Sequence, residues 1–340
     1  YEIAGTDAGA VLGTALAIKM VAYIGIAPVV GAYADRLPRK TLLVAMDVVR
    51  AVVAMALPFV DAVWQIYLLI FLLQSASAAF TPTFQATIPD ILPDEEEYTT
   101  ALSLSRLAYD LESLLSPILA AALLTVINFH WLFAGTSVGF VISAMLVVTS
   151  ALPHREAAKK IVESVWRKTT RGARIYLRTP RLVGLLAVTL AAAAGSAMVI
   201  VNTVVIVKGM GRSQEDVALA LAAYGGGSML AALILPRVLR SISDRSVMIA
   251  GAFLLTATLS VFAMMTLGTA GLIAWPFLLG GWLVLGVTYS LSVTPGGRLL
   301  RRSSNEGDRP ALFAAQFALS HVCWLLAYPV AGQIGANSGM

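Results

Sequence analysis

The sequence has 340 residues, of which 58 % are hydrophobic and 13 % are charged, and its mean hydropathy is +0.81. A soluble domain carries about twice that charged fraction, so the composition excludes an ordinary soluble protein. The one cysteine, Cys323, excludes an internal disulfide and a cysteine-based metal cluster. The net charge of +5 has the sign that nucleic-acid binding requires. The positions of the basic residues decide whether nucleic-acid binding or another cause explains it.

Ten long apolar segments follow one another along the chain, and each reaches the length of about 20 residues that a helix needs to cross a bilayer. Apolar residues fill these segments whole, as expected where both the core side and the lipid side of a helix are apolar. The sequence therefore predicts an all-α polytopic membrane protein surrounded by lipid. The predicted spans cover residues 8–34, 41–60, 64–88, 98–127, 131–152, 181–207, 216–239, 246–267, 271–293 and 310–335.

Most of the 24 basic residues lie in alternate connections between the spans, and the opposite connections carry only Lys208 and Arg212. Cytoplasmic loops of membrane proteins carry the excess of Lys and Arg, so we predict that the first span runs from the outside to the inside. This placement explains the net charge without a nucleic-acid partner. The basic, cytoplasmic connections are residues 31–40, 153–181, 237–245 and 298–309.

The first of these connections has the sequence GAYADRLPRK, in which an aspartate follows a glycine by four residues and precedes a basic cluster. The pattern resembles the loop signature of the major facilitator superfamily of transporters, G-x-x-x-D-[RK]-x-G-[RK]-[RK], with Pro38 at the second glycine. The resemblance implies that this loop gates the conformational change of the transporter. Its Asp35-Arg36 pair recurs late in the chain as Asp244-Arg245. The predicted gating residues are Gly31, Asp35, Arg36, Arg39, Lys40, Asp244 and Arg245.

The long basic linker divides the chain into two sets of five spans that echo each other. Thr81 and Pro82 recur as Thr294 and Pro295, as two parallel repeats of a transporter would show. The resemblance implies the major facilitator fold with two pseudo-symmetric halves, and we expect about ten of the family's twelve helices here, without the first and the last. The predicted domains are residues 1–152 (family helices two to six), the linker 153–180, and residues 181–340 (family helices seven to eleven).

Ionisable residues inside the spans need an explanation, because each is costly in a membrane. Arg106 and Asp110 lie four residues apart and can pair along one helix face, whereas Glu112 points to another side. The sequence is compatible with two roles for the Arg106–Asp110 pair: a purely structural contact and a site of proton coupling. A family segment, R-x-x-Q-G-x-x-A-A, carries the arginine linked to coupling, and Phe71 stands at its position here. We therefore predict proton coupling at Arg106, Asp110 and Glu112.

Four further polar residues are predicted to line a substrate cavity. Lys19 and His321 lie near the middle of the first and last spans, and the resemblance implies that these two helices meet. The sequence is compatible with two roles for His321: a structural histidine in the interior and a site that binds a proton or a metal ion. The three histidines lie far apart in the sequence, so the metal ligands stay unassigned. The predicted cavity residues are Lys19, Gln74, Asn202 and His321.

Residues 81–117 resemble an exporter group of the superfamily that includes enterobactin exporters and nickel-resistance permeases. This implies a monomeric, proton-coupled exporter of the bacterial inner membrane without a cofactor, with nickel or a related divalent metal as its cargo. An exporter of an organic anion, siderophore or drug is the alternative, and a transporter-like receptor without flux is a rival class. The sequence contains no phosphate-binding glycine loop, G-x-S-x-G or H-E-x-x-H motif, so we predict no enzymatic activity.

Overall fold

The structure is a computed structural model that describes residues 8–33, 38–152, 165–268 and 274–337. Throughout these residues the chain is helical, apart from short connections, and contains no β-strand. The helices are α1 (Ala8–Tyr33), α2 (Arg39–Ala56), α3 (Val63–Ile91), α4 (Glu95–Leu124), α5 (Phe129–Thr149), α6 (Val165–Thr169), α7 (Arg171–Arg178), α8 (Pro180–Gly209), α9 (Gln214–Ser241), α10 (Asp244–Gly268), α11 (Trp275–Val293), α12 (Gly296–Arg302) and α13 (Arg309–Asn337).

Ten of these helices are long and apolar enough to cross a membrane, which confirms the predicted all-α membrane fold for the part of the chain that the structure describes. The short helices are α6 and α7 in the linker and α12, which continues the line of α11. Helix α4 begins earlier than predicted, at Glu95, because three glutamates occupy its first turn. Negative charge there is stabilised by the positive end of the helix dipole.

Large apolar side chains face outward along the spans, and small residues fill the contacts between them. Phe253, for example, is 72 % exposed, whereas many of the buried residues are alanines. In a bilayer, helices associate by close packing of small residues and not by hiding apolar surface from water. At Gly286 on α11, an added Cβ would lie 1.8 Å from the carbonyl oxygen of Tyr224 on α9, so these two backbones touch.

The described residues form two compact units. The first contains α1, α2, α3, α5, α6 and α7, with the C-terminal end of α4 and the first half of α13. The second contains α8 to α12, with most of α4 and the second half of α13. Helices α4 and α13 therefore contribute to both units, although they belong to opposite halves of the predicted repeat. The division at the linker into two pseudo-symmetric halves stays a prediction.

A buried charged pair holds the first unit together around α2. Arg50 pairs with Asp47 one turn earlier, and Asp47 is fully buried. The guanidinium carbon of Arg50 lies 4.0 Å from the ring centre of Phe80 on α3 and 4.7 Å from that of Phe140 on α5. Such cation–π contacts are strongest where water is excluded, so this arginine joins three helices.

Candidate functional site: charged and aromatic groups inside the spans

Arg106 and Asp110 pair on α4 within the second unit, as their spacing predicts. The Nε atom of Arg106 donates to Asp110 Oδ2 at 3.1 Å, and Nη2 pairs with Oδ1. The same Nε donates to Ser228 Oγ on α9 at 3.2 Å. The Asp110 side chain is only 5 % exposed. The pair is thus a neutral, bidentate unit that links α4 to α9, and bidentate arginine–carboxylate pairs are among the strongest hydrogen-bonded contacts.

Four aromatic residues form a continuous strip beside this pair. The guanidinium carbon of Arg106 lies 4.7 Å from the ring centre of Tyr289. Tyr289 neighbours Tyr224 at 6.1 Å and Trp324 at 6.4 Å, and Trp324 neighbours Tyr328 at 5.2 Å between ring centres. We call these four residues the aromatic strip. All are half-buried, so each ring keeps an accessible edge or face.

Sequence reasoning missed the aromatic strip because its members come from α9, α11 and α13. The only local signal is the i, i+4 spacing of Trp324 and Tyr328 on α13, and nothing in the sequence joins these two residues to Tyr224 or Tyr289. Glu112, the third predicted coupling residue, is exposed on α4 and takes no part in the Arg106–Asp110 pair. A rotation of about 200° over two helical residues accounts for this.

The first unit brings two of the predicted cavity residues together. Lys19 Nζ on α1 lies 5.5 Å from the ring centre of Tyr23, and that ring meets His321 of α13 edge-on at 4.6 Å. Phe317 lies 4.3 Å from His321 and 5.1 Å from Tyr23, between ring centres. We call Lys19, Tyr23, Phe317 and His321 the basic–aromatic cluster. Lys19 and His321 are both half-buried.

The other two predicted cavity residues lie elsewhere. Gln74 is half-buried on α3 in the first unit. Asn202 is 2 % exposed on α8 in the second unit, and its amide donates to the carbonyl oxygen of Ala331 on α13 at 3.1 Å. Side-chain amides often join helices in membranes in this way. The Asn202 amide therefore serves helix packing, and a role for it in a cavity stays a prediction.

Of the predicted gating residues, Asp35 and Arg36 lie outside the described residues. Gly31 packs against α13, since an added Cβ would lie 2.4 Å from the Cβ of Ala314. Lys40 Nζ donates to the carbonyl oxygen of Ser150 at 3.1 Å. The remaining member, Arg39, pairs with Asp90 at the end of α3.

That pairing belongs to an ionic cluster in the first unit, which we call the α3-end cluster. Asp90 Oδ2 lies 2.5 Å from Arg39 Nη1, and Asp90 Oδ1 pairs with Arg309. All three side chains are between 11 % and 14 % exposed. The cluster joins the end of α3 to the starts of α2 and α13. Its residues are charged side chains at helix ends, which was the only sequence signal for Asp90 and Arg309.

A second cluster, the α12 cluster, joins helix ends in the second unit. Asp244 lies 3.0 Å from Arg298 Nε and 2.7 Å from Arg302 Nη1. Glu95 lies 2.6 Å from Arg298 Nη2 and also pairs with Arg302. The predicted gating residue Asp244 is therefore a central member, being 3 % exposed, whereas Arg245 is exposed.

No group of three or more His, Cys, Asp or Glu side chains is placed to hold a metal ion within the part of the chain that the structure describes. His321 contacts the rings of Tyr23 and Phe317. His130 stacks on Phe129 at 4.1 Å between ring centres. His154 lies outside the described residues. Metal ligands thus stay unassigned.

Sequence comparisons place this geometry in a family. The profile of the Major Facilitator Superfamily matches residues 3–211. The chain is 27 % identical over 124 residues to the uncharacterized MFS-type transporter YfiS of Bacillus subtilis (strain 168), covering 36 % of this chain and 30 % of that protein. It is 26 % identical over 158 residues to macrolide efflux protein A of Streptococcus pyogenes, covering 45 % of this chain and 39 % of that protein. The matched region is thus less than half of each relative.

Solved structures share the fold over nearly the whole chain. The human organic anion transporter MFSD10 superposes with a TM-score of 0.77 at 14 % identity, covering 96 % of this chain and 78 % of that one. The E. coli fucose:proton symporter FucP superposes with a TM-score of 0.75 at 10 % identity, covering 97 % and 85 %. At these identities the likeness shows the fold alone, and it confirms the predicted fold class.

Proposed function

The chain belongs to the major facilitator superfamily, and we propose that it forms the helical body of a proton-coupled exporter of an organic solute in a bacterial inner membrane. In this proposal it works as a monomer, without a cofactor and without catalysis. One observation carries the proposal: the buried Arg106–Asp110 pair lies against the aromatic strip. A coupled transporter of organic solutes needs a site that can exchange a proton and a surface that can receive an organic body.

The Arg106–Asp110 pair suits proton coupling because transfer of one proton to the Asp110 carboxylate breaks the ion pair. A proton on Asp110 would neutralise the carboxylate and release the guanidinium, which Tyr289 and Ser228 would still hold. Loss of that proton would restore the ion pair with Arg106. Glu112 is exposed and separate, so we assign the coupling proton to Asp110 and give Glu112 a secondary place.

An organic solute fits the described residues better than a metal ion. The aromatic strip offers four half-buried rings, and aromatic rings with a few polar groups are typical of sites for organic ligands. The sequence left a metal site at His321 open, but the Nδ1 atom of His321 lies 2.7 Å from the carbonyl oxygen of Phe317. The positive charge of Lys19 nearby would also oppose a divalent cation. Nickel therefore becomes the second candidate cargo.

Export is the proposed direction because matched relatives include a macrolide efflux protein. The two ionic clusters supply the proposed gate. Both join helix ends that the positive-inside rule assigns to the cytoplasmic face, and both must open if a solute enters from the cytoplasm. Asp35 and Arg36 are proposed as further gating residues, on the resemblance of their sequence to the family's loop signature. The resemblance to enterobactin exporters and nickel-resistance permeases stays a prediction.

Uptake into everted membrane vesicles that contain the full-length protein tests the proposal. The vesicle interior is acidified, and accumulation of a radiolabelled macrolide, of xanthene dyes and of radioactive nickel is measured. We expect accumulation of at least one organic probe that collapses when nigericin dissipates the pH gradient. Accumulation of nickel alone would establish a metal exporter instead. Binding without accumulation of any probe would favour a receptor and contradict the proposal.

A further inference from the structure

Lys19 stands apart from the other basic residues deep inside the spans. Arg50 is paired with Asp47, and Arg106 is paired with Asp110, so each has a carboxylate one turn away on its own helix. Lys19 forms no ion pair in the described part of the chain. It lies 11 residues into α1, or about 17 Å along the helix axis, so its ammonium reaches a membrane interface only with difficulty.

Within the part of the chain that the structure describes, the helices around Lys19 supply no free carboxylate to balance its charge. Helices α1 and α13 contain no Asp or Glu. The neighbouring α3 contains one, Asp90, which is at the far end of that helix and is already paired with two arginines. An unbalanced cation at this depth is costly. The charge is therefore expected to serve a ligand that is itself negative.

His321 adds a second nitrogen group of defined orientation. Its Nδ1 lies 2.7 Å from the carbonyl oxygen of Phe317. A carbonyl oxygen can only accept, so Nδ1 carries the hydrogen and Nε2 is the remaining ring nitrogen. In this tautomer Nε2 is an acceptor, and the positive charge of Lys19 opposes its protonation. An anion bound between the two groups would favour the protonated ring, and Nε2 would then be a second donor. The rings of Tyr23 and Phe317 border both groups and offer apolar surface.

We propose that the basic–aromatic cluster is a binding site for the negatively charged group of an organic solute, such as a carboxylate, sulfonate or phosphate. Lys19 holds the anionic group by a charge-assisted hydrogen bond, and Tyr23 and Phe317 contact the adjoining organic body. His321 contributes a second donor once the bound anion favours protonation of Nε2. Gln74 is a half-buried neutral donor on α3, in the same unit as the cluster. The inference rests on the proposed export of an organic solute and defines its class as an organic anion.

Two dyes with the same ring system and opposite charge test this site. Carboxyfluorescein is an anion, rhodamine 123 is a cation, and both share the xanthene body. Binding of each dye to the purified full-length protein in lipid nanodiscs is measured by fluorescence anisotropy. We expect the protein to bind carboxyfluorescein at least about tenfold more tightly than rhodamine 123. Equal affinity, or a preference for rhodamine 123, would overturn the proposal.

Variants of Lys19 locate the preference. Lys19→Gln should abolish it, and Lys19→Arg should retain it because the charge is kept. Lys208→Gln is the control, since it removes the same charge from an exposed position at the outer end of α8. If Lys19→Gln keeps the full preference for carboxyfluorescein, the basic–aromatic cluster is not the binding site. If Lys19→Gln fails to fold, loss of the preference in Lys19→Arg, with normal gel-filtration behaviour, would also overturn the proposal.

Transport of the same dyes separates this inference from the proposed function. Anion binding that depends on Lys19, without accumulation of any probe in everted vesicles, would contradict export and leave the binding site established. Accumulation of rhodamine 123 that is unchanged in Lys19→Gln, together with no preference for carboxyfluorescein, would leave export established and overturn the anion site.

Discussion

Asp90 and Arg309 lie 219 positions apart in the sequence and form an ion pair at the end of α3. Arg39 completes the cluster from the start of α2. In the α12 cluster the signs are reversed: Asp244 and Glu95 begin their helices, and the arginines come from α12. In each unit one helix end thus meets two helix starts. The helix starts carry arginines in the α3-end cluster and carboxylates in the α12 cluster.

The reversal makes the two clusters unequal in strength. A helix start carries partial positive charge, which favours Asp244 and Glu95 and disfavours Arg39 and Arg309, each by roughly 0.3–1 kcal/mol at an exposed position. The α12 cluster therefore has the helix dipoles in its favour. In the α3-end cluster, among the described residues, Asp90 holds two arginines at unfavourable positions. We infer that the α3-end cluster opens more readily.

Asp90→Asn should release the α3-end cluster. The substitution keeps the size of the side chain and removes the carboxylate that Arg39 and Arg309 share in the described part of the chain. We expect transport to slow and Leu312→Cys, a fully buried position on the first turn of α13, to become accessible to a thiol reagent. Labelling is measured in a Cys323→Ser background. Asp61→Asn on an exposed loop is the matched control, and equal labelling in both variants would show that the cluster is not a gate.

Asp110→Asn should abolish export driven by a pH gradient. Without its carboxylate, Arg106 becomes an unbalanced cation in a span, and breaking one partner of a buried pair costs about 3–5 kcal/mol. We therefore also expect a lower Tm in detergent, partly restored by adding Arg106→Gln, which removes the orphaned charge. Solute exchange without a gradient should survive. Glu112→Gln serves as the control, and full gradient-driven export in both single variants would place coupling elsewhere.

The sequence predicted features that depend on neighbours along one helix. The ten spans follow from apolar length, and the Arg106–Asp110 contact follows from an i, i+4 spacing. The Asp90–Arg309 pair could not be predicted, because its members come from separate helices whose packing no local pattern encodes. In the aromatic strip the same holds for the contacts of Tyr289 with Tyr224 and Trp324, whereas Trp324 and Tyr328 are neighbours on α13. Asn202 shows the same limit: an amide in a span either faces a cavity or joins two helices, and only the contact with Ala331 distinguishes them.

Tyr289→Leu should weaken solute binding more than Tyr289→Phe. Phenylalanine keeps the ring of the aromatic strip and its contact with the Arg106 guanidinium, whereas leucine removes both. A ring contact with an aromatic solute contributes roughly 0.5–1.5 kcal/mol, so we expect the KM for an exported dye to rise by about 2- to 13-fold in Tyr289→Leu and to stay near the wild-type value in Tyr289→Phe. Equal KM values in the two variants would show that the ring face has no role.

Gly286→Ala should disturb both helix packing and the aromatic strip. An added Cβ would lie 1.8 Å from the carbonyl oxygen of Tyr224, and backbone cannot move aside as a flexible side chain can. Overpacking of this kind costs about 1–3 kcal/mol, so the Tm should fall. Because Tyr224 belongs to the aromatic strip, its displacement should also raise the KM for an exported dye.

Gly280→Ala on the same helix is the matched control, because its added Cβ would meet nothing within 4 Å. We expect that variant to keep or slightly raise the Tm, since alanine is favoured over glycine in a helix by roughly 1 kcal/mol. Thermal unfolding of both proteins in one detergent, together with dye uptake in everted vesicles, separates the two effects. A normal Tm with normal KM in Gly286→Ala would mean that α9 and α11 do not meet at this glycine. A low Tm with normal KM would keep the helix contact and remove Tyr224 from solute recognition.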